Sequence, residues 1–148
     1  MTEDQWIFFV KESLKIEGIL RDPTPEEMTA TKYFVSLDEP GVADLERLVE
    51  VYAPGHVLRC QTGLNVSVGG HVSPRGGPNI EVQLKGILGL ARHNSAWHVH
   101  CDYETLHPFT DGNGRSGRAL WLWCMGGEAP LGFLHHFYYQ TLHHYRVR

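Results

Sequence analysis

The chain has 148 residues and a mass of 16.8 kDa, with 13 Lys and Arg against 17 Asp and Glu for a formal net charge of −4. That length makes one domain, and a chain of this size buries roughly 68–70% of its unfolded surface without needing disulfides or a metal as staples. Contents of 42% hydrophobic and 20% charged residues exclude a disordered, collagen-like or membrane-spanning composition. The absence of a basic block argues against a protein that grips nucleic acid through its phosphates. Cys60, Cys101 and Cys124 are too widely spaced, and lack the C-x-x-C pattern, for a disulfide framework or zinc knuckle. Met1 to Trp6 carries two acids and no basic n-region, so a cytoplasmic protein is expected. Ten histidines are unusual, and composition alone does not separate ligands from switches or packing.

In chain order, the first predicted element is a helix over about 6–20, with apolar residues Phe8, Phe9, Leu14, Ile16, Ile19 and Leu20 in a loose stripe. Asp22 to Glu27 predicts a turn and a helix start, with Thr24 as N-cap, Pro25 at the first helical position and Glu27 completing a capping box. A helix from about Pro40 to Tyr52 ends at Pro54-Gly55. Residues 64–74 alternate apolar and polar around Gly69-Gly70 and predict a β-hairpin. Pro74 to Pro78 forbids regular structure, and helical spacing resumes from Ile80 to His93 at Val82, Leu84, Ile87, Leu88 and Leu90. A helix from about Ala96 to Leu106 stops at Pro108, which also biases His107 away from the right-handed helical region. The last two helices run from about Arg115 to Met125, closed by Gly126-Gly127, and from Phe133 to Tyr145.

The segment His107-Pro108-Phe109-Thr110-Asp111-Gly112-Asn113-Gly114-Arg115-Ser116-Gly117-Arg118 carries the chemistry. Gly112 and Gly114 let a ligand touch the backbone where a new helix begins, and a helix N-terminus favours anions such as phosphates. Asn113 can cap that helix and donate to an oxygen. Arg115 and Arg118, three apart, present two guanidinium forks to a polyphosphate. Asp111 is a hard carboxylate suited to a magnesium ion shared with phosphate oxygens. His107 is the candidate base, because histidine ordinarily titrates near neutrality. Gly112, Gly114 and Gly117 also satisfy G-x-G-x-x-G, but no hydrophobic strand precedes them as a dinucleotide site requires. No Lys-Ser or Lys-Thr follows, which excludes a P-loop.

At every defining position His107 to Arg118 resembles the H-P-F-x-D/E-G-N-G-R-x-x-R signature of Fic domains. The order of hairpin and helices is similar too, over nearly the whole of 1–148. The resemblance implies a mainly helical Fic fold with a hairpin flap, and transfer of AMP from ATP, with magnesium, to a hydroxyl of a target protein. By the same resemblance His107 takes the hydroxyl proton and Asp111 holds the metal. Asn113 meets the α-phosphate, Arg115 and the amides of Gly112 and Gly114 the β-phosphate, and Arg118 the γ-phosphate. Phe109 would anchor the loop in the core.

Ser13-Leu14-Lys15-Ile16-Glu17-Gly18 resembles the S/T-x-x-x-E-G/N motif of the Fic inhibitory helix. Ser13 and Glu17 share a face at i,i+4, so on this resemblance Ser13 orients the helix against the site while Glu17 projects toward Arg118, where a paired carboxylate would compete with the γ-phosphate. The hairpin resembles the Fic flap, which adds a target segment as a strand; Val68, Gly69, Gly70 and His71 would border the nucleotide. Tyr138 and Tyr139 match a pair that lines the adenine side in some relatives, while Arg146 stands where relatives often have Asn. His135-His136 and His143-His144 lack a carboxylate companion and read as solvated or partly packed. Alternatives on the same fold are removal of AMP from a modified protein, with Glu17 positioning water, or transfer of another phosphate-containing group. Gly112 argues against the phosphotransferase branch, which resembles A-N-K-R at that place. From another class comes a nucleotide-binding toxin or adaptor without turnover, against which His107 and Asp111 speak. Neither nucleic acid nor membrane is expected as a partner, and homo-oligomerisation and self-modification stay open.

Overall fold

The computed structural model of the protein describes residues 1–128. These residues are mainly helical with a small hairpin, in the order α1 (Glu3–Ile16), α2 (Pro25–Ser36), α3 (Val42–Tyr52), β1 (Ser67–Val68), β2 (His71–Val72), α4 (Pro78–Gly89), α5 (Ala96–Leu106) and α6 (Asn113–Cys124). The helix expected over Phe133 to Tyr145, with its histidine pairs and Arg146, lies outside the described residues. No helix among the described residues is long and apolar enough to cross a membrane.

Helix α6 is central and packs against α5, α2, α3 and α1. Its Leu120 and Leu122 join Leu14 of α1, Phe34 of α2, Leu45 and Leu48 of α3, Leu84 of α4 and Tyr103 of α5 in one buried cluster. Each such aliphatic or aromatic side chain contributes about 1.5–3 kcal/mol by leaving water. Tyr103 bonds Ser116 through its hydroxyl at 2.7 Å, and His100 donates from Nδ1 to the Gly117 carbonyl at 2.8 Å, so polar groups also stitch α5 to α6.

Helix α1 starts and stops earlier than its apolar spacing predicts. Thr2 Oγ1 accepts from the Gln5 N–H and Gln5 Oε1 accepts from the Thr2 N–H, a capping box that fixes the first turn at Glu3. At the other end Gly18 has φ +76°, and its N–H reaches the Lys15 carbonyl while the Ile19 N–H reaches that of Leu14. This paired closure ends the helix at Ile16, with Glu17 as its C-cap. The buried face is Phe9, Val10, Ser13 and Leu14, whereas Phe8 and Leu20, expected on the stripe, are exposed.

Helix α2 has the expected Thr24 cap, Pro25 start and reciprocal Glu27 bond. Helix α3 starts at Val42 instead of Pro40, because Asp44 Oδ2 accepts the Gly41 N–H and makes Gly41 the cap. The hairpin pairs Ser67 with Val72 and Val68 with His71. Gly69 takes φ +56° at the first turn position, which a side chain would resist. Helix α4 begins at Pro78, where the missing proline N–H costs nothing, and ends at Gly89 short of His93. Val82 and the C-cap Leu90, expected in the stripe, are exposed; Ile80 and Leu84 are buried. Helix α5 has the expected bounds. Helix α6 begins two residues before Arg115 and ends at Cys124 with the expected Gly126-Gly127 closure.

Candidate active site

The loop between α5 and α6 is held in place before any ligand is considered. His107 is the C-cap of α5 at φ 52°, ψ 63°, the one non-glycine residue with positive φ among the described residues. Leaving the helix in this left-handed conformation costs about 1–2 kcal/mol, which the surroundings must offset. Strand-like pairing follows: Leu58 bridges Phe109, the Arg59 N–H donates to the Pro108 carbonyl at 2.9 Å, and the Thr110 N–H to that of Val57 at 2.9 Å. Phe109 is fully buried, as its expected anchoring role requires.

Arg59 completes the arrangement, and its side chain is entirely buried. Its Nε donates to the His107 carbonyl at 2.7 Å, Nη2 to Leu106 at 2.8 Å, and Nη1 to Leu64 at 3.0 Å and Pro74 at 2.8 Å. Burial lowers its pKa from the ordinary arginine value. The last turn of α5 has no basic residue of its own, so this guanidinium supplies the positive charge that a helix C-terminus favours. Sequence reasoning missed Arg59. Its partners are four backbone carbonyls, which leave no residue pattern to read.

His107 Nδ1 lies 3.4 Å from the Glu104 carbonyl. A carbonyl only accepts, so a neutral ring with its proton on Nδ1 would donate to it, and in that tautomer Nε2 has the acceptor form that a general base needs.

At the start of α6, Gly112 occupies the cap with φ +79° and no side chain caps the helix. The first-turn amides of Asn113, Gly114 and Arg115 lack intrahelical partners by position, which makes this end an anion cradle. One expectation changes here. Asn113 lies inside the helix instead of capping it, and its amide accepts from the Phe109 N–H and donates to the Phe109 carbonyl, both at 2.8 Å. That side chain is buried, and its two bonds to Phe109 tie the loop to the first turn of α6.

The two arginines bond different elements. Arg115 reaches α3, with Nη1 on the Tyr52 carbonyl at 2.9 Å and its guanidinium 5.9 Å from the Tyr52 ring centre. Its Nε is buried and has no hydrogen-bond partner among the described residues. Burial pushes the Tyr52 hydroxyl up to about 12, against the opposing bond from Thr31.

Arg118 reaches α1. Nε donates to Ser13 Oγ at 2.7 Å, and Nη2 to the Ser13 carbonyl at 2.9 Å and to Glu17 Oε1 at 2.7 Å. Arg118 is 1% exposed and the Glu17 side chain 32%, so the pair is shielded at one end only. Residues 13, 17 and 118, singled out from sequence, thus meet in space. A Cβ at Gly114 would overlap Glu17 Oε1; the carboxylate therefore lies directly over the start of α6.

Asp111 is exposed at the rim. Oδ1 accepts from the Gly112 N–H at 2.7 Å and stands 3.5 Å from Arg115 Nη2, while Oδ2 stands 3.9 Å from His56 Nε2. Among the described residues no group of three or more His, Cys, Asp or Glu side chains is placed to hold a metal. One accessible carboxylate fits a magnesium ion that draws its remaining ligands from phosphate and water.

The hairpin projects beside the loop, with Val68, Gly69 and Gly70 exposed. His71 donates from Nε2 to the Thr105 carbonyl at 2.9 Å and so fastens the flap to α5. Tyr138 and Tyr139 lie outside the described residues.

Residues 71–125 match the Fic/DOC family. That span runs from β2 through α4, α5 and the loop that follows to the end of α6. It supports a Fic domain, with which the mainly helical architecture and hairpin are consistent. Members of the family are typically transferases. No curated protein matches the chain.

Proposed function

We propose that the chain is a protein adenylyltransferase that moves AMP from ATP to a hydroxyl side chain of a target protein, and that α1 holds it inactive. The observation that carries this reading is the seat of Glu17, bonded to Arg118 and lying over Gly114 at the helix end where phosphates would bind. A carboxylate there takes the place of an anionic ligand.

In the reaction, the amides of Asn113, Gly114 and Arg115 receive phosphate oxygens. The glycines at 112 and 114 allow the close approach. His107 Nε2 accepts the proton of the target hydroxyl as its oxygen bonds to the α-phosphorus and the bond to pyrophosphate breaks. Asp111 Oδ2 would hold magnesium, whose role is to offset phosphate charge. The flap, through Val68 to His71, takes the target segment as an added strand and brings its hydroxyl to His107. Most of the rate gain in such a transfer comes from positioning and charge stabilisation.

With Glu17 on Arg118 the γ-phosphate lacks its guanidinium. ATP then settles with its α-phosphorus out of line for attack. Replacing Glu17 by glycine releases Arg118. Incubated with α-labelled ATP and magnesium, E17G protein is expected to label itself or an added target at least roughly tenfold more than wild type, the factor for about 1.4 kcal/mol of relieved competition. His107→Ala in the same background abolishes the label. Equal labelling by E17G and wild type refutes the inhibition, and labelling that survives His107→Ala refutes the mechanism.

A further inference from the structure

We propose that Arg59 is a positioning residue that couples the flap to His107, so that the docked target strand and the catalytic ring are registered through one guanidinium. This rests on the adenylyltransferase reading for the names of the two parts, and on the geometry alone for their connection. Leu64 and Pro74 mark the two ends of the flap segment, and both their carbonyls accept from Nη1 at 3.0 and 2.8 Å. Leu106 is the last residue of α5 and His107 its cap, and their carbonyls accept from Nη2 and Nε at 2.8 and 2.7 Å. The backbone N–H of Arg59 holds the next carbonyl, Pro108, at 2.9 Å. Three successive peptide planes, 106 to 108, thus take their orientation from this one residue.

Two observations make the tie stiff. Arg59 is fully buried, so releasing any of these carbonyls leaves a charged donor without water, a penalty larger than that of an ordinary lost bond. The flap base is also closed on itself. Gly76 donates to Asn65 Oδ1 at 2.9 Å, and a Cβ at Gly76 would overlap the backbone of Leu64 and Gln61. The base therefore moves as a unit, and movement of Leu64 and Pro74 passes to Nη1. A planar fork transmits that displacement to Nε and Nη2, which a flexible ammonium on four carbons would not do.

Coupling is read by a double-mutant cycle on the full chain. Asn65→Ala opens the flap base without touching the loop, and Arg59→Lys keeps the charge while losing the fork. In 1H–15N spectra of the His107 ring and the Arg59 Nε–H, Asn65→Ala is expected to shift both sets of signals. In the Arg59→Lys background it should shift the His107 ring by less than about half as much, the pairwise term being what the cycle isolates. His107 signals that ignore Asn65→Ala overturn the proposal, as does a shift of equal size in the Arg59→Lys background. Should Arg59→Lys fail to fold, the Asn65→Ala spectra decide: Arg59 Nε–H and His107 moving together support the tie, and either moving alone overturns it.

Kinetics give a second arm in the E17G background. Arg59→Lys is expected to lower kcat roughly tenfold or more with the KM for ATP within about twofold, because misplacing a base costs rate without costing nucleotide contacts. A rise in KM with kcat unchanged contradicts positioning. If E17G protein itself transfers nothing, the adenylyltransferase reading has failed, and the spectral cycle still decides whether flap and histidine are coupled.

Discussion

A methyl group at Gly114 would fall on Glu17 Oε1 and stand 3.0 and 3.1 Å from the two terminal nitrogens of Arg118. Gly114→Ala therefore has opposite effects in two backgrounds. With Glu17 present it pushes the carboxylate off Arg118 and lowers stability. With Glu17→Gly the overlap is gone and only the far end of the Arg118 side chain, released from the carboxylate, has to yield by a few tenths of an ångström, so alanine in the first turn of α6 gains up to about 1 kcal/mol from its better helix propensity. Urea unfolding of the four proteins checks the sign change, and a loss of equal size in both backgrounds contradicts the placement of Glu17. At this scale the sequence was informative where a side chain acts on another side chain. Ser13, Glu17 and Arg118 share a pattern and meet in space. It was silent where a side chain serves the backbone: Asn113 bonds both main-chain groups of Phe109, and Arg59 four carbonyls. Nothing in residue type distinguishes those duties from ligand binding or solvation.

Helix α1 carries Ser13 and is C-capped by Glu17, the two residues that bond Arg118, and its first turn rests on the Thr2 and Gln5 box. Thr2→Ala should cost about 1 kcal/mol of helix stability. Faster amide exchange along α1 checks it, accompanied, on the adenylyltransferase reading, by more labelling from ATP than in wild type. No change in exchange contradicts the capping assignment. The pairing of α5 with α6 depends on Gly117, where a Cβ would overlap Glu104 Oε1 and stand 2.9 Å from the Tyr103 ring. Both neighbours are buried, so Gly117→Ala is expected to destabilise by about 1–3 kcal/mol through overpacking, in spite of its helix propensity. A neutral or raised melting temperature contradicts that packing. Element existence was legible from periodicity and caps, as α2 and α5 show, whereas boundaries shifted where a backbone closure decided them. Gly18 ends α1 and Gly112 starts α6 by positive φ, and the exposure of Val82 on α4 and of Leu90 at its C-cap follows from which neighbours that helix meets, which spacing does not record.

For the whole molecule, a net charge of −4 conceals three arginines, Arg59, Arg115 and Arg118, buried around one loop. Acid exposes a further dependence on burial. Burial alone would raise the Glu27 carboxyl, but the bonds from Arg21 and Thr24 outweigh it and hold its pKa below the ordinary 4.5. A carboxyl depressed in the folded state stabilises fully above the unfolded value and loses that contribution as pH falls through the folded one. The urea midpoint should therefore decline as pH drops below about 4.5, and Glu27→Gln should flatten that decline while costing about 1–3 kcal/mol at neutral pH. A slope unchanged by Glu27→Gln contradicts the assignment.

The central claim, AMP transfer from a site held shut by Glu17, is tested most directly by which phosphorus of ATP reaches protein. E17G protein with magnesium should become labelled from α-labelled ATP and acquire nothing from γ-labelled ATP. Label from the γ-position, or none from the α-position when Glu17 is removed and His107 is intact, would contradict it.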